Sequence, residues 1–461
     1  MKNNQLSNFN RNMMLLTLLL GSFLMLLSET FLNNGLPAIM AELHVSQENA
    51  QWLSTGYYMV TGLMIPLSGW MFNRFPIKRT YITLLFIFLA GSLLAYFSPN
   101  FSFLLIGRLI QAIAAGAVVP LVQNIVLILF PKEQRGLVLG ITGIIIAFAP
   151  AIGPTLSGYI IDTSGWRNLF LLLIPITVVI LLGSFFVIYN INPVSKEHID
   201  SLSFLYSLIG FGTLLYSLSL ISNTGNLSIL SIVFLIIGCI FIWIFAQRQF
   251  KVKNPLINLS VFTNKTFTLT TFLSGISNIA LLGVELVIPL YLQDVHQVSA
   301  FVSGLILMPG AILMGILNPI TGKLYDKLGI KKLSLIGYSI LALGTLPMIW
   351  FSPATSLTFV TIVYAIRILG IAFVLMPTFT AAMNSLPNDL AIHGNAASST
   401  FRQVFGSLGT AILMMVVTLV TSNSSHNHIT ALNHGYQAAF IISFIMAILG
   451  LVLSFALKKE K

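Results

Sequence analysis

Gly69-Trp70-Met71-Phe72-Asn73-Arg74-Phe75-Pro76-Ile77-Lys78-Arg79 returns later in the chain as Gly322-Lys323-Leu324-Tyr325-Asp326-Lys327-Leu328-Gly329-Ile330-Lys331-Lys332. A glycine, an amide or carboxylate, a base, an isoleucine and two more bases recur at one spacing. Both stretches are short polar breaks between long apolar runs. A repeated loop at matching places in a hydrophobic chain points to two related halves, a recurrent transporter design.

The composition agrees. The chain has 461 residues, 56% hydrophobic and 8% charged, against about 25% charged in soluble domains. So much apolar surface fits an integral membrane protein and excludes a soluble fold. Fourteen segments reach the roughly 20 residues that cross a bilayer, near 13–36, 50–72, 80–98, 102–129, 137–161, 167–191, 201–221, 228–247, 266–292, 302–324, 333–351, 355–384, 400–421 and 436–457. The first is too long for a signal-peptide core and reads as a retained span. Spans one to six and nine to fourteen then form two six-helix halves, residues 1–195 and 256–461. Spans seven and eight, within 196–255, read as an insertion of lipid-facing spacers.

The net charge of +11 would suggest nucleic acid in a soluble protein. Here its distribution explains it. One set of loops carries Lys2, Arg11, Arg74, Lys78, Arg79, Lys132, Arg135, Lys196, Arg248, Lys251, Lys253, Lys265, Lys323, Lys327, Lys331, Lys332, Arg402, Lys458, Lys459 and Lys461. In the alternate loops Arg167 is the exception. That bias places both termini in the cytoplasm, and no nucleic-acid partner is expected. The lone Cys239 leaves no intrachain disulfide. His426, His428 and His434 read as a solvated outer loop rather than a metal site.

Two acids break the apolar runs: Glu29 in the first span and Glu285 in the ninth. A charge at bilayer depth costs at least about 2.5–3.5 kcal/mol and marks ion or substrate paths. Burial disfavours the ionised form of a carboxyl group, so acids so placed suit proton carriage. Two arginines, Arg108 in span four and Arg367 in span twelve, occupy equivalent helices. At 1.5 Å per residue, Glu29 and Arg108 fall at one depth and read as a switchable pair, ionic when Glu29 is deprotonated. Arg367 falls deeper than Glu285, a less matched pair. Depth and polarity nominate Asn33, Asn34, Tyr57, Tyr58, Gln111, Asn124, Asn278, Met308, Arg367, Met376 and Asn384 as lining a central cavity.

The loop motifs resemble those of the major facilitator superfamily, and the chain as a whole is similar to its fourteen-helix drug:proton antiporters of the EmrB/QacA kind. Gly69 to Arg79 is similar to the family's loop motif GxxxD(R/K)xGxxK, with Asn73 for the usual Asp and Pro76 for Gly. The second copy keeps Asp326 and Gly329. Arg108-Leu-Ile-Gln111 resembles RxxQG in span four. Gly143 through Pro150, Gly153, Pro154 and Gly158 resembles the span-five motif that marks exporters. Leu27-Ser28-Glu29-Thr30 and Leu36-Pro37 resemble the span-one motif, with Glu29 one place after the usual acid. Trp166-Arg167 with Pro175, Gln293, and Arg402-Gln403 through Gly409 are further resemblances.

The resemblance implies an exporter of amphipathic, often cationic, drugs, driven by protons across the plasma membrane by alternating access. It implies rocking motifs at Gly69, Asn73, Arg74, Gly143, Pro150, Gly153, Pro154, Gly158, Gly322, Asp326 and Lys327. No cofactor beyond the proton gradient and no metal are expected, and the chain is expected to act as a monomer. Other readings weigh less. Gly322-Lys323 lacks the remainder of a phosphate loop, and no catalytic constellation suggests an enzyme. An exporter of lipid or metabolite, or a sensor without transport, would keep the same fold.

Overall fold

The computed structural model describes residues 7–32, 35–191, 194, 200–424 and 427–458. Asn33, Asn34, Lys196 and His426 lie outside them. The described chain is helical throughout, with no strand. In order run α1 (Asn8–Phe31), α2 (Leu36–Leu43), α3 (Gln47–Arg74), α4 (Ile77–Tyr96), α5 (Phe101–Leu129), α6 (Lys132–Ser164) and α7 (Arg167–Val187). Then follow α8 (Ser201–Thr224), α9 (Ile229–Gln249), α10 (Lys265–Asp294), α11 (Ala300–Thr345), α12 (Leu357–Asn384), α13 (Asn388–Ser422) and α14 (His428–Phe455).

Local chemistry sets the boundaries. Side chains of Ser46, Asn100, Asp200, Ser228, Asn264, Ser299 and Ser356 each accept from a backbone N–H of the first turn they precede. Such caps satisfy donors that a helix start otherwise leaves bare. Gly329, at φ 72°, breaks α11 in the middle of the second loop motif. A left-handed residue there turns the chain back, and glycine adopts that conformation without a Cβ penalty. Prolines interrupt α3, α5, α7, α10, α11 and α12.

Among the described residues eleven helices are long and apolar enough to cross a membrane, and the protein is an all-α membrane protein. One hydrophobic core gathers residues of α1 to α7, from Met14 to Ile188. A second gathers α10 to α14, from Leu273 to Leu457. The bundles meet along a seam of α6 on α11, with α3 and α5 on α13 and α6 on α12.

The pair α8 and α9, expected as lipid-facing spacers, departs from that expectation. α9 fits, with Ile229, Leu230, Ile232, Val233, Ile236, Ile240 and Trp243 exposed. α8 does not, because it packs on both α3 and α13. Tyr216 stacks on Trp52 at 5.3 Å, and Thr55 accepts from Ser219 and Asn223, each at 3.2 Å. Arg402 also departs. The stretch 385–399, polar and rich in small residues, reads as loop, yet α13 runs through it and carries Arg402 inside, 9% exposed.

Candidate functional site

The buried arginines are the anchors. Arg108 Nη1 donates to the Ser28 carbonyl at 3.0 Å, the Ser28 hydroxyl at 2.9 Å and Gln111 Oε1 at 2.9 Å. Its guanidinium lies 4.0 Å from the centroid of the Tyr57 ring. Tyr57 is fully buried, and its hydroxyl donates to the Met25 carbonyl at 3.2 Å. Gln111 passes the chain on by donating to Ser92 at 2.8 Å. The i, i+3 spacing of Arg108 and Gln111 makes one face of α5, and that face ties α1, α3, α4 and α5 together.

Glu29 follows Ser28 directly. Arg108 and Glu29 interact electrostatically, but among the described residues no ion pair joins them. The expected salt bridge is replaced by a guanidinium bound to the backbone and hydroxyl just before the acid. Glu285 and Arg367 stand likewise. Arg367 donates to the Ala280 carbonyl and to Ser443 Oγ, at 3.3 Å in the second case, and feels the charge of Glu285 without bonding to it. Glu29 is in turn within electrostatic range of Glu285 across the seam. Both acids keep partial exposure.

The nominated lining residues divide. Tyr58 stays near Arg108 and is half-buried, and Met308 is half-buried on α11. Tyr57 and Gln111 are spent on the Arg108 network rather than facing open space. Asn124, fully buried, accepts from Asn395 at 2.7 Å across the seam. Asn278 donates to the Arg402 carbonyl at 2.7 Å. Met376, fully buried, stands against Gly143. Asn384 departs furthest: it lies at the end of α12, where Lys132 donates to its carbonyl at 3.0 Å and Arg135 to its side chain at 3.5 Å. Asn33 and Asn34 are outside the described residues.

Among the motif glycines, Gly136 and Gly322 sit where the backbones of α6 and α11 touch. On α6, Gly136, Gly140 and Gly143 face Gly322, Asn318 and Met376. A Cβ at Gly140 or Gly322 would strike a backbone carbonyl of the opposite helix. Asn318 donates to the Gly143 carbonyl at 2.8 Å. Asp326 Oδ1 would lie 2.8 Å from a Cβ on Gly136, so its carboxylate abuts α6. Gly153 presses on Thr30, just after Glu29. Asn73 and Arg74 are half-buried and Lys327 is exposed. Gly69 faces Ala396 of α13, with 3.4 Å to a built Cβ. Gly158 is half-buried. Pro150 and Pro154 lie within α6, with side chains outside the description.

Three participants escaped the sequence reading. Asn318 and Asn395 look like isolated amides in apolar spans, and only their partners reveal cross-seam bonds. Arg135 reads as a loop base, yet it donates to Phe130 and Leu127 carbonyls at 3.2 and 2.6 Å and to Asn388 at 3.2 Å.

At the far end, Arg167 pairs with Glu42, Trp166 Nε1 donates to the same carboxylate at 2.7 Å, and Arg167 Nη2 donates to the Ser98 carbonyl at 3.2 Å. The hydrogen bond from Arg167 holds the Glu42 carboxyl below the ordinary carboxylate range. This clamp joins α2 to the start of α7 and the end of α4.

The family model described as Major Facilitator Superfamily matches residues 18–410. The chain is 40% identical over 454 residues to the uncharacterized MFS-type transporter YcnB of Bacillus subtilis, covering 98% of this chain and 96% of that one. It is 33% identical over 451 residues to the lincomycin resistance protein LmrB of Listeria innocua, covering 96% of each. The proton:xylose symporter XylE superposes with a TM-score of 0.66 at 13% identity, over 98% of this chain and 96% of that one; at that identity the likeness is one of fold.

Proposed function

The chain belongs to the Major Facilitator Superfamily, and from that premise we propose that it is a proton-driven exporter of amphipathic, often cationic, drugs. One observation carries the reading. Two membrane acids, Glu29 and Glu285, stand on the leading helices of two bundles, each in electrostatic range of a buried arginine, Arg108 for the first and Arg367 for the second. A relative named for lincomycin resistance supports a drug as cargo.

In this reading residues 1–195 and 256–461 are the halves, 196–255 is an insertion, and the chain crosses the plasma membrane fourteen times as a monomer. Both termini face the cytoplasm. A proton from outside neutralises Glu29 or Glu285, weakens the hold on a cationic drug, and permits the return to the inward-facing state. Each charge moved down the potential supplies about 2.3 kcal/mol per 100 mV. The arginines keep the surrounding helices in register while the acids change charge. The glycine contacts between α6 and α11 form the closed surface of one state.

The test uses acid-loaded everted vesicles containing the full chain, challenged with ethidium. Alkalinisation of the lumen is expected for wild type, and its loss for Glu29→Gln or Glu285→Gln in protein that still inserts. Silence of the wild type toward ethidium and a panel of neutral drugs would move the cargo to a lipid or metabolite.

A further inference from the structure

Arg402 differs from the other buried arginines. Arg108 and Arg367 each sense a membrane acid. Arg402 lies fourteen residues into α13, about 21 Å along the helix, and among the described residues no carboxylate pairs with it or lies in electrostatic range. Its Nη2 donates to Ser399 Oγ at 3.1 Å and its guanidinium rests 4.7 Å from the centroid of the Phe379 ring. Its Nε, like the Nε of Arg108 and of Arg367, has no hydrogen-bond partner among the described residues. A buried charge without a counter-charge is strongly unfavourable, and a ring face offsets part of that.

The surroundings offer donors. Asn395, Ser398, Ser399 and Arg402 recur at i, i+3, i+4 and i+7, one face of α13, and each is at most 9% exposed. α10 presents Thr271, Ser274 and Asn278 at matching helical spacing. The Asn278 bond to the Arg402 carbonyl brings that face against α13. Thr271 and Ser274 are fully buried, and their hydroxyls, like that of Ser398, have no hydrogen-bond partner among the described residues. An arginine side chain on a helix leans toward the helix N-terminus, which is toward Ser398 and Ser399. Water can satisfy hydroxyls but cannot neutralise a guanidinium.

We propose that Arg402, with the hydroxyls of Thr271, Ser274 and Ser398, forms a binding site for an anionic group of the carboxylate class, carried on an amphipathic cargo. The fork of a guanidinium matches a carboxylate's two oxygens. The site is wired to the seam. Ser399 donates to Asn395 Oδ1 at 3.2 Å, and Asn395 donates to Asn124 Oδ1 at 2.7 Å and the Pro120 carbonyl at 2.9 Å on α5. Occupancy on α13 therefore reaches the opposite bundle through hydrogen bonds. The assignment rests on the transport reading for the word cargo, and on none of it for the chemistry. Its consequence is a transporter that accepts acidic or zwitterionic compounds at Arg402 as well as cations at the glutamates.

The test measures binding rather than transport, so it stands whether or not ethidium drives protons. The full chain in lipid nanodiscs is titrated with dansylglycine and with dansylglycine methyl ester, reading dansyl fluorescence. Wild type is expected to favour the acid over the ester by about tenfold, the scale of one charge-assisted contact. Arg402→Gln is expected to erase that preference, and Arg402→Lys to restore part of it. If Arg402→Gln does not fold, the pair Ser274→Val with Ser398→Ala serves, with a preference reduced about threefold or more, as expected for lost hydroxyl donors. Equal binding of acid and ester by wild type overturns the proposal, as does a preference that Arg402→Gln preserves. Chloride that stabilises wild type while dansylglycine fails to bind assigns the site to a small inorganic ion and overturns it as well.

Discussion

Glu29 and Glu285 occupy the same place on their helices, each twelve residues beyond a carbonyl that receives a tyrosine hydroxyl. Tyr81 donates to Thr17 at 2.8 Å, and Tyr338 donates to Leu273 at 2.5 Å. Twelve residues are about 18 Å of helix, so the acids share a depth measured from equivalent anchors. Their arginines do not follow the same symmetry. Arg108 holds the carbonyl immediately before Glu29, whereas Arg367 holds the Ala280 carbonyl five residues before Glu285.

That asymmetry predicts unequal tolerance. In Arg108→Lys one ammonium would have to serve Ser28, Gln111 and the Tyr57 ring from a shorter reach, and lysine lacks the planar fork. Drug-evoked proton flux is expected to fall at least about tenfold, the loss of one or more charge-assisted bonds. Arg367→Lys has two acceptors to serve and is expected to lose less. Flux in vesicles, normalised to inserted protein, checks the ranking. Equal losses would remove the distinction between the two arginines.

Gly140→Ala tests the seam. The added methyl falls against the Asn318 carbonyl and 2.8 Å from Pro319 Cα, and backbone cannot step aside as a side-chain tip can. The α6–α11 contact then opens, while neither hydrophobic core loses a residue. The variant is expected to fold and insert but to transport poorly. Spin labels on α6 and α11 near Gly136 and Gly322 should report a longer distance than in wild type. An unchanged distance with normal transport would show that the closed seam is not a working state.

The membrane acids and the repeated loop were legible because each is a polar break in an apolar run, a signal that needs no partner. Gly329 was legible as motif and took its left-handed turn. Arg402 was misplaced because Asn388 to Ser399 is small and polar, the composition of a loop; it is helical because its polar atoms find Asn124, Pro120 and one another. Gln111 and Tyr57 were found but assigned to open space, since one sequence does not say which neighbour an amide or ring will meet. Asn384 failed for the same reason: its depth could be counted only after the true end of α12 was known.

The Glu42 clamp gives a pH dependence. Its carboxyl, ordinarily near 4.5, is held lower by Arg167. A depressed carboxylate stabilises the fold above its ordinary range, and that contribution is lost as the pH falls below it through the folded value. Wild type should therefore melt higher than Glu42→Gln at pH 7, and the gap should shrink as the pH falls below 4.5. Salt should shrink it too, because the pair is partly exposed. Thermal unfolding of both proteins across pH 3.5–7 checks this; a gap that stays constant as the pH falls would mean that the carboxylate's charge is not what holds α2.

Removal of residues 195–255 separates a spacer from a structural wedge. If both α8 and α9 only faced lipid, a short linker in their place would leave a folded protein. α8 instead fills the space between α3 and α13. Leu214, Leu218 and Ile221 share a core with Ala411, Tyr216 stacks on Trp52, and Gly225, at φ 64°, ends α8 against Thr418. Deletion would bare that apolar surface and the Thr55 hydroxyl along the seam, a loss spread over both bundles. The deleted protein is expected to aggregate on extraction. Replacing α9 alone with an unrelated apolar span that keeps Gly238 against Leu214 is expected to be tolerated, since most of its remaining face meets lipid. Size-exclusion profiles of the two variants decide the matter: a monodisperse peak from the full deletion would return α8 to the role of spacer, and collapse of the α9 replacement would extend the wedge to both helices.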